Sequence, residues 1–93
     1  MNITVSELLA LKNPNIIDIR DNAQYNMGHI KGAKNIAGVL LLNNPSKHLN
    51  KNDTYYIYCN YGSTSSSLCM TLKSRGYKVF SVLGGYNTYK SIK

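Results

Sequence analysis

Apolar residues along this chain follow two alternating rhythms. Short continuous runs bounded by Gly, Pro, Asn or Asp read as strands. Between them lie stretches in which apolar side chains recur at helical spacing. Ile3-Thr4-Val5 reads as a first strand, with Ser6 as the N-cap and Glu7 in the first turn of a helix. Leu8, Leu9 and Leu11 supply its apolar face, and Asn13-Pro14 ends it. Ile16-Ile17-Asp18-Ile19 is apolar enough for a strand buried on both faces. Asp21 and Gln24 have capping-box spacing for a short helix through Met27, which Gly28 stops. Ala33 to Ile36 is a weak strand, and Val39 to Leu42 about one helical turn. Asn43-Asn44-Pro45-Ser46 reads as a loop in which Ser46 caps a further turn, and Lys51-Asn52-Asp53 reads as a turn.

Thr54 to Tyr58 is the strongest strand, β-branched and aromatic. The following helix runs from about Ser63 to Arg75, with Ser65, Leu68, Cys69 and Leu72 on one face and Gly76 at the C′ position. Tyr77 to Leu83 is the last strand; Gly84-Gly85 breaks it, and Tyr86 to Ile92 forms a final helix. This alternation predicts an α/β fold: a central, mainly parallel sheet flanked by helices on both faces, with right-handed crossovers. At 93 residues, one domain spanning 1–93 is expected.

Parallel sheets place their ligand crevice at the carboxyl ends of the strands. Cys59 stands at the carboxyl end of the strongest strand, where a loop leads into a helix. Free backbone N–H groups at such a junction favour the thiolate, which is the nucleophilic form of cysteine. Gly62 permits the backbone angles with which Cys59-Asn60-Tyr61-Gly62-Ser63-Thr64-Ser65 can curl around the sulfur. Inward-pointing amides then form an anion nest, and the helix adds the positive end of its dipole.

Composition removes several other readings. Two cysteines, Cys59 and Cys69, are too few for a disulfide framework, and a reduced cytoplasmic thiol is expected. His29 and His48 lie apart in unlike contexts, so no metal or other cofactor is expected. The first residues lack the basic and apolar regions of a signal peptide, and Val39 to Leu42 is far too short to span a bilayer. Eleven Lys+Arg against four Asp+Glu give a formal charge of +7, spread along the chain (Lys12, Lys31, Lys34, Lys47, Lys51, Lys73, Lys78, Lys90, Lys93). Nucleic-acid binders concentrate such charge in a stripe or tail; here it reads as a solubilising field that attracts small anions or acidic partners. Neither nucleic acid nor membrane is an expected partner.

Four motifs occur in order along nearly the whole chain: Asp18-Ile19-Arg20; Gly28-His29-Ile30-Lys31-Gly32-Ala33-Lys34-Asn35-Ile36; Cys59-x-x-Gly62-x-x-Ser65; and Gly84-Gly85-Tyr86. Together they resemble the rhodanese (sulfurtransferase) family, in its small single-domain form. The resemblance implies a five-stranded rhodanese-like domain. Cys59 would take sulfane sulfur from thiosulfate or another persulfide, hold it as a persulfide, and pass it to a thiophilic acceptor. Partners would then be a small anionic donor and a thiol acceptor, with the chain a monomer or weak dimer. The alternative is a non-catalytic rhodanese-like module that uses the crevice to hold a protein partner; degenerate modules of that kind commonly lose the cysteine that Cys59 retains.

The departures from the family pattern carry information. Many members have Arg two residues after the loop glycine, where this chain has Thr64. Neutral hydroxyls on Ser63, Thr64 and Ser65 hold an anion less strongly than a charge-assisted Arg contact. Weak thiosulfate affinity, or a different donor, is the expectation. Gln24 replaces a common Glu, Lys31 a common Pro, and Tyr89 a frequent Trp. Phosphatases of this fold use a Cys-x5-Arg loop, but the sixth residue after Cys59 is Ser65, so phosphoryl chemistry lacks its cation. A thioredoxin-like role lacks a Cys-x-x-Cys partner. Asp18 and Arg20 read as a structural pair beneath the site, His29 as a packed histidine, His48 as solvated and Cys69 as core. Tyr61, beside Cys59 in the loop, reads as an exposed lid or contact surface.

Overall fold

In a computed structural model, which describes residues 1–92, the strands are β1 (Asn2–Ile3), β2 (Asn15–Asp18), β3 (Lys34–Asn35), β4 (Thr54–Tyr58) and β5 (Lys78–Val82). Lys93, counted above among the scattered lysines, lies outside the described residues. The strands form one sheet in the order β1-β5-β4-β2-β3, and every pairing is parallel. The helices are α1 (Val5–Leu9), α2 (Asn22–Met27), α3 (Gly38–Asn43), α4 (Pro45–His48), α5 (Ser63–Ser74) and α6 (Gly85–Ile92). Among the described residues, no helix is long and apolar enough to cross a membrane.

The two-residue period of the strands divides the core between the two faces of the sheet. Ile17, Ile57 and Val79 point to the face covered by Leu41 of α3 and by Leu68, Cys69 and Leu72 of α5. Ile16, Tyr58 and Val82 point to the other face, covered by Val5 and Leu8 of α1 and Tyr89 of α6. The buried stripe of α5 is Ser65, Leu68, Cys69 and Leu72, as its helical spacing predicts. β2 and β4 are neighbours, but their outgoing chains part: α5 packs on the first face, whereas Tyr25 of α2 packs on the second. Such a parting of connections leaves a crevice at the strand ends.

Element ends depart from the sequence reading where a local hydrogen bond outcompetes a neighbour. Thr4, not Ser6, caps α1: its Oγ1 accepts from the Glu7 N–H at 3.0 Å, and the Glu7 carboxylate accepts from the Thr4 N–H at 3.0 Å. This reciprocal box shortens the first strand to Asn2–Ile3 and draws Val5 into the helix. The apolar face of α1 is consequently Val5 and Leu8, one turn apart, and Leu9 and Leu11 are exposed. The third strand is confined to Lys34–Asn35. The stretch 43–46 is not all loop: α4 starts at Pro45, whose missing N–H is harmless at a first helical position. Ser46 sits inside that turn, with Asn44 as N-cap. Arg75 caps α5, and Gly85 already belongs to α6. His48 is half-buried, in a cavity of about 460 Å³ lined by residues at the amino ends of β2 and β4, far from Cys59.

Leu72 is fully buried between α5 and the sheet. Leu72→Ala is expected to lower stability by about 2–5 kcal/mol, whereas Val39→Ala, at a residue 61% exposed, stays within about 0.5 kcal/mol. Urea unfolding of the two variants checks the contrast.

Candidate active site

The loop after β4 turns back on its own first residue. Gly62 has a φ of +108°, a left-handed conformation that an L side chain adopts only with strain. With that turn made, the Gly62 N–H donates to Cys59 Sγ at 3.1 Å and the Ser65 N–H donates at 3.4 Å. Ser65 Oγ lies 3.5 Å from the same sulfur. The sulfur also sits before the first turn of α5, a helix of twelve residues whose dipole presents its positive end there. The anion nest expected from the loop sequence is therefore formed, with Gly62 and Ser65 as its amide donors.

Two effects compete at the Cys59 thiol. It is 8% exposed, and burial pushes its pKa up. The Ser65 hydroxyl, and then the N–H groups of Ser65, Gly62 and Tyr61, favour the anion more strongly, so the thiol ends below the ordinary range. Burial pushes the Cys69 thiol up to about 12; the positive N-terminus opposes the rise, and the nearby charge of Cys59 adds to it. The surroundings thus favour the thiolate at Cys59 and the neutral thiol at Cys69, which is buried in the core.

Asp18 and Arg20 form the support beneath. Asp18 is completely buried at the end of β2. Its carboxylate accepts from Arg20 Nη2 at 2.8 Å and from the Arg20 backbone N–H at 2.8 Å. It also accepts from the Tyr58 hydroxyl at 2.6 Å. Tyr58 Oη in turn accepts from the Ile30 N–H at 3.0 Å, and Arg20 Nη2 donates to the Gly28 carbonyl at 2.6 Å. Burial lowers the pKa of the Arg20 guanidinium, but the hydrogen bonds and charge of Asp18 outweigh it and keep the cation firmly protonated. Burial raises the Tyr58 hydroxyl, as does its bond to Asp18, so Tyr58 remains a donor. The Tyr86 ring of α6 lies 4.1 Å from the Arg20 guanidinium carbon. His29 stacks on Tyr25 at 3.8 Å and its Nδ1 lies 2.9 Å from the Tyr25 carbonyl, a packed histidine as expected.

The residues singled out in the loop divide into two groups. Gly62 and Ser65 face the sulfur. Asn60, Tyr61, Ser63 and Thr64 line a cleft of about 250 Å³ with Cys59, Ile19 and Arg20. Asn60 turns its amide to Gln24, 3.4 Å away, so Gln24 completes neither a capping box nor a bond to Arg20; Asp21 caps α2 alone. Tyr61 is 73% exposed and stands between this cleft and a second depression lined by Met27, Tyr86 and Lys90. Two contributions were not foreseen from the sequence. Tyr58 looked like one more core tyrosine, because only the folded register brings its hydroxyl to Asp18. The glycine pair after β5 reads in the sequence as a strand breaker and as part of a family motif, with no contact to the Cys59 loop expected of it. A Cβ on Gly85, at φ +55°, would overlap the Cys59 carbonyl oxygen, which accepts from the Tyr86 N–H at 2.9 Å. Among the described residues, no three His, Cys, Asp or Glu side chains come together to hold a metal ion.

A sheet in the order β1-β5-β4-β2-β3, with a cysteine nested at the crevice between β2 and β4, defines a parallel α/β domain whose cleft holds a thiol in a ring of backbone amides. Residues 4–92 match the Rhodanese-like domain family, and the chain belongs to that family. It is 35% identical over 72 residues to YrkF of Bacillus subtilis, a candidate sulfur carrier protein, covering 76% of this chain but only 38% of that relative's length. It is 29% identical to the thiosulfate sulfurtransferase GlpE of Tolumonas auensis, over 91% of this chain and 80% of that protein. A crystal structure from Staphylococcus saprophyticus superposes with a TM-score of 0.85 at 33% identity, covering 95% of this chain and 91% of the other.

Two outcomes are expected from this geometry. Alkylation with iodoacetamide at neutral pH should modify Cys59 ahead of Cys69. Its rate should rise with pH through a midpoint below the roughly 8.5 of a free thiol, because a lowered pKa exposes the thiolate at lower pH. Peptide mass mapping along a pH series checks both points. Gly85→Ala should cost at least about 1–2 kcal/mol for its left-handed backbone alone and should slow Cys59 alkylation by displacing the loop; Gly32→Ala, in open space, should not slow it.

Proposed function

We propose that this chain is a rhodanese-type sulfurtransferase that carries sulfane sulfur as a persulfide on Cys59. The observation that carries the reading is the nest itself: a thiol held by the Gly62 and Ser65 amides at the mouth of a small cleft. The family match and the sulfur-handling relatives support the same reaction class.

The Cys59 thiolate attacks the outer sulfur of the donor. A bond forms from Sγ to that sulfur, and the donor's S–S bond breaks. The electron pair leaves with sulfite when the donor is thiosulfate, or with a thiolate when the donor is a persulfide. The negative charge now rests on the outer sulfur of the new Cys59 persulfide. An acceptor thiolate attacks this sulfur, and the S–S electron pair returns to Cys59. Charge thus remains on sulfur throughout, and fixed amide donors can stabilise it with little reorganisation. Gly62 and Ser65 hold the charge; Asn60, Tyr61, Ser63 and Thr64 shape the donor's space. Asp18, Arg20 and His29 keep the strand ends and the adjoining loop in place.

The cleft, about 250 Å³, is smaller than the roughly 300–1,000 Å³ of clefts for drug-sized ligands, which suits a small donor. With Thr64 in place of a loop Arg, thiosulfate would be held mainly by neutral donors, so its affinity is weak and a persulfide donor fits the site better. The net charge of +7 steers anionic donors and acidic acceptor proteins toward the chain.

The test is mass spectrometry after incubation with thiosulfate or with a small-molecule persulfide. One added sulfur atom on the Cys59 peptide is expected, with none on Cys59→Ser and undiminished loading on Cys69→Ser. Loading that persists in Cys59→Ser would sink the proposal. Failure to load the wild-type chain from either donor would favour the binding-module reading instead.

A further inference from the structure

Ser65 Oγ is completely buried, carries one proton, and has three polar neighbours. Cys59 Sγ is 3.5 Å away, the Gly62 carbonyl 3.2 Å and Ser81 Oγ 2.8 Å. A hydroxyl can donate once and accept twice, so the protonation state of the sulfur decides how these contacts are used. When Cys59 is a thiol, its S–H donates to Ser65 Oγ, and the Ser65 proton is free to go to the Gly62 carbonyl or to Ser81. When Cys59 is a thiolate, the sulfur can only accept, and the Ser65 proton is needed there. The Gly62 carbonyl does not lose its last partner in that change, because it also accepts from the Ser66 N–H at 3.0 Å. What Ser65 then lacks is an incoming donor, and Ser81 is placed to be that donor.

Ser81 lies on β5, on the same face of the sheet as Tyr77 and Val79, which are buried among apolar residues. It is 2% exposed. Its backbone is held from both sides, by pairing with Asn2 of β1 and with Ile57 of β4. A buried hydroxyl on an otherwise apolar face is costly unless it is used, and among the described residues the partner of Ser81 Oγ is Ser65 Oγ.

We propose that Ser81 is a positioning residue for the active-site sulfur: its hydroxyl donates to Ser65 Oγ and thereby turns the single Ser65 proton toward Cys59 Sγ. Among the described residues its hydroxyl bonds to Ser65 and not to the sulfur, and it does not line the cleft, so it acts through Ser65. The inference deepens the reading of Cys59 as a thiolate nucleophile and rests on it, but it needs no particular sulfur donor. The other charged or titratable groups around the sulfur are Arg20 and Tyr61 in the cleft and Cys69 behind it; Arg20 is already paired with Asp18.

The experiment is the pH profile of iodoacetamide alkylation at Cys59, followed by peptide mass mapping, in wild type, Ser81→Ala and Ser81→Thr. Loss of one neutral hydrogen bond to the anion's donor should move the midpoint up by about half to one pH unit. Below the midpoint the rate should fall about three- to tenfold, while the plateau at high pH stays unchanged. Ser81→Thr should restore the wild-type midpoint. In a Ser65→Ala background, Ser81→Ala should produce no further shift. If Ser81→Ala does not fold, Ser81→Val against Ser81→Thr makes the same comparison at nearly constant shape. A Ser81→Ala midpoint equal to wild type overturns the proposal, as does a rate loss that is equal at every pH. Because alkylation requires no sulfur donor, a chain that never accepts sulfur would leave this measurement intact. Conversely, an unshifted midpoint would leave sulfur transfer standing.

Discussion

The Asp18 carboxylate is the constraint on which the rest of the site depends. It is a charge at the end of a central strand with no exposure to water, a position worth several kcal/mol of penalty if left uncompensated. Compensation comes from three directions: the Arg20 side chain, the Arg20 backbone and the Tyr58 hydroxyl. Each of these contacts fixes something else. Arg20 reaches the Gly28 carbonyl and lies against the ring of Tyr86, linking β2 to the chain after α2 and to α6. Tyr58 accepts from Ile30, so the end of β4 is tied to the same segment. One buried anion therefore sets the relative positions of four pieces of chain that meet at the cleft.

Its consequence for the chemistry is one residue away. Tyr58 and Cys59 are adjacent, and the pleat sends them to opposite faces of the sheet. Anchoring the tyrosine on the α1–α6 face orients the cysteine toward the α3–α5 face, where the start of α5 and its amides are waiting. The carbonyls of Cys59 and Asn60 are then caught by the N–H groups of Tyr86 and Asn87 in the first turn of α6. The sulfur is held from below by a strand, from one side by the loop it begins, and from the other by a helix whose glycine allows close approach. A charge-bearing side chain in the loop is not required for this arrangement. Dipoles and hydroxyls lower the thiol while leaving the mouth of the cleft uncharged apart from Arg20, whose charge is already matched by Asp18.

Much of this was legible in the residue order, and the exceptions follow a pattern. The two longest strands and α5 follow from residues whose own preference agrees with their burial: Thr54 to Tyr58 is β-branched and aromatic, and Ser65, Leu68, Cys69 and Leu72 share a helical face. The ends were harder, because a cap is a competition among neighbours. Thr4 and Ser6 are both good caps, and the box between Thr4 and Glu7 decided for Thr4. Leu9 and Leu11 looked like core, but a five-residue helix presents one narrow face, and Val5 and Leu8 occupy it. Gln24 had the spacing of a local cap, yet its amide found Asn60 across the site.

The residue order by itself determined that this is a parallel α/β fold with a cysteine at a strand end, in a loop able to curl around its sulfur. Those properties rest on periodicity, on the glycine at Gly62 and on the local chemistry of one loop. Only the tertiary structure decided which hydroxyls surround that loop. Tyr58 and Ser81 appear in the sequence as ordinary strand residues. They acquire their roles from strand register, which sets Asp18 beside Tyr58, and from the packing of α5, which brings Ser65 to Ser81. A hydrogen bond between residues far apart in sequence depends on both partners' positions in space, and no local preference encodes it.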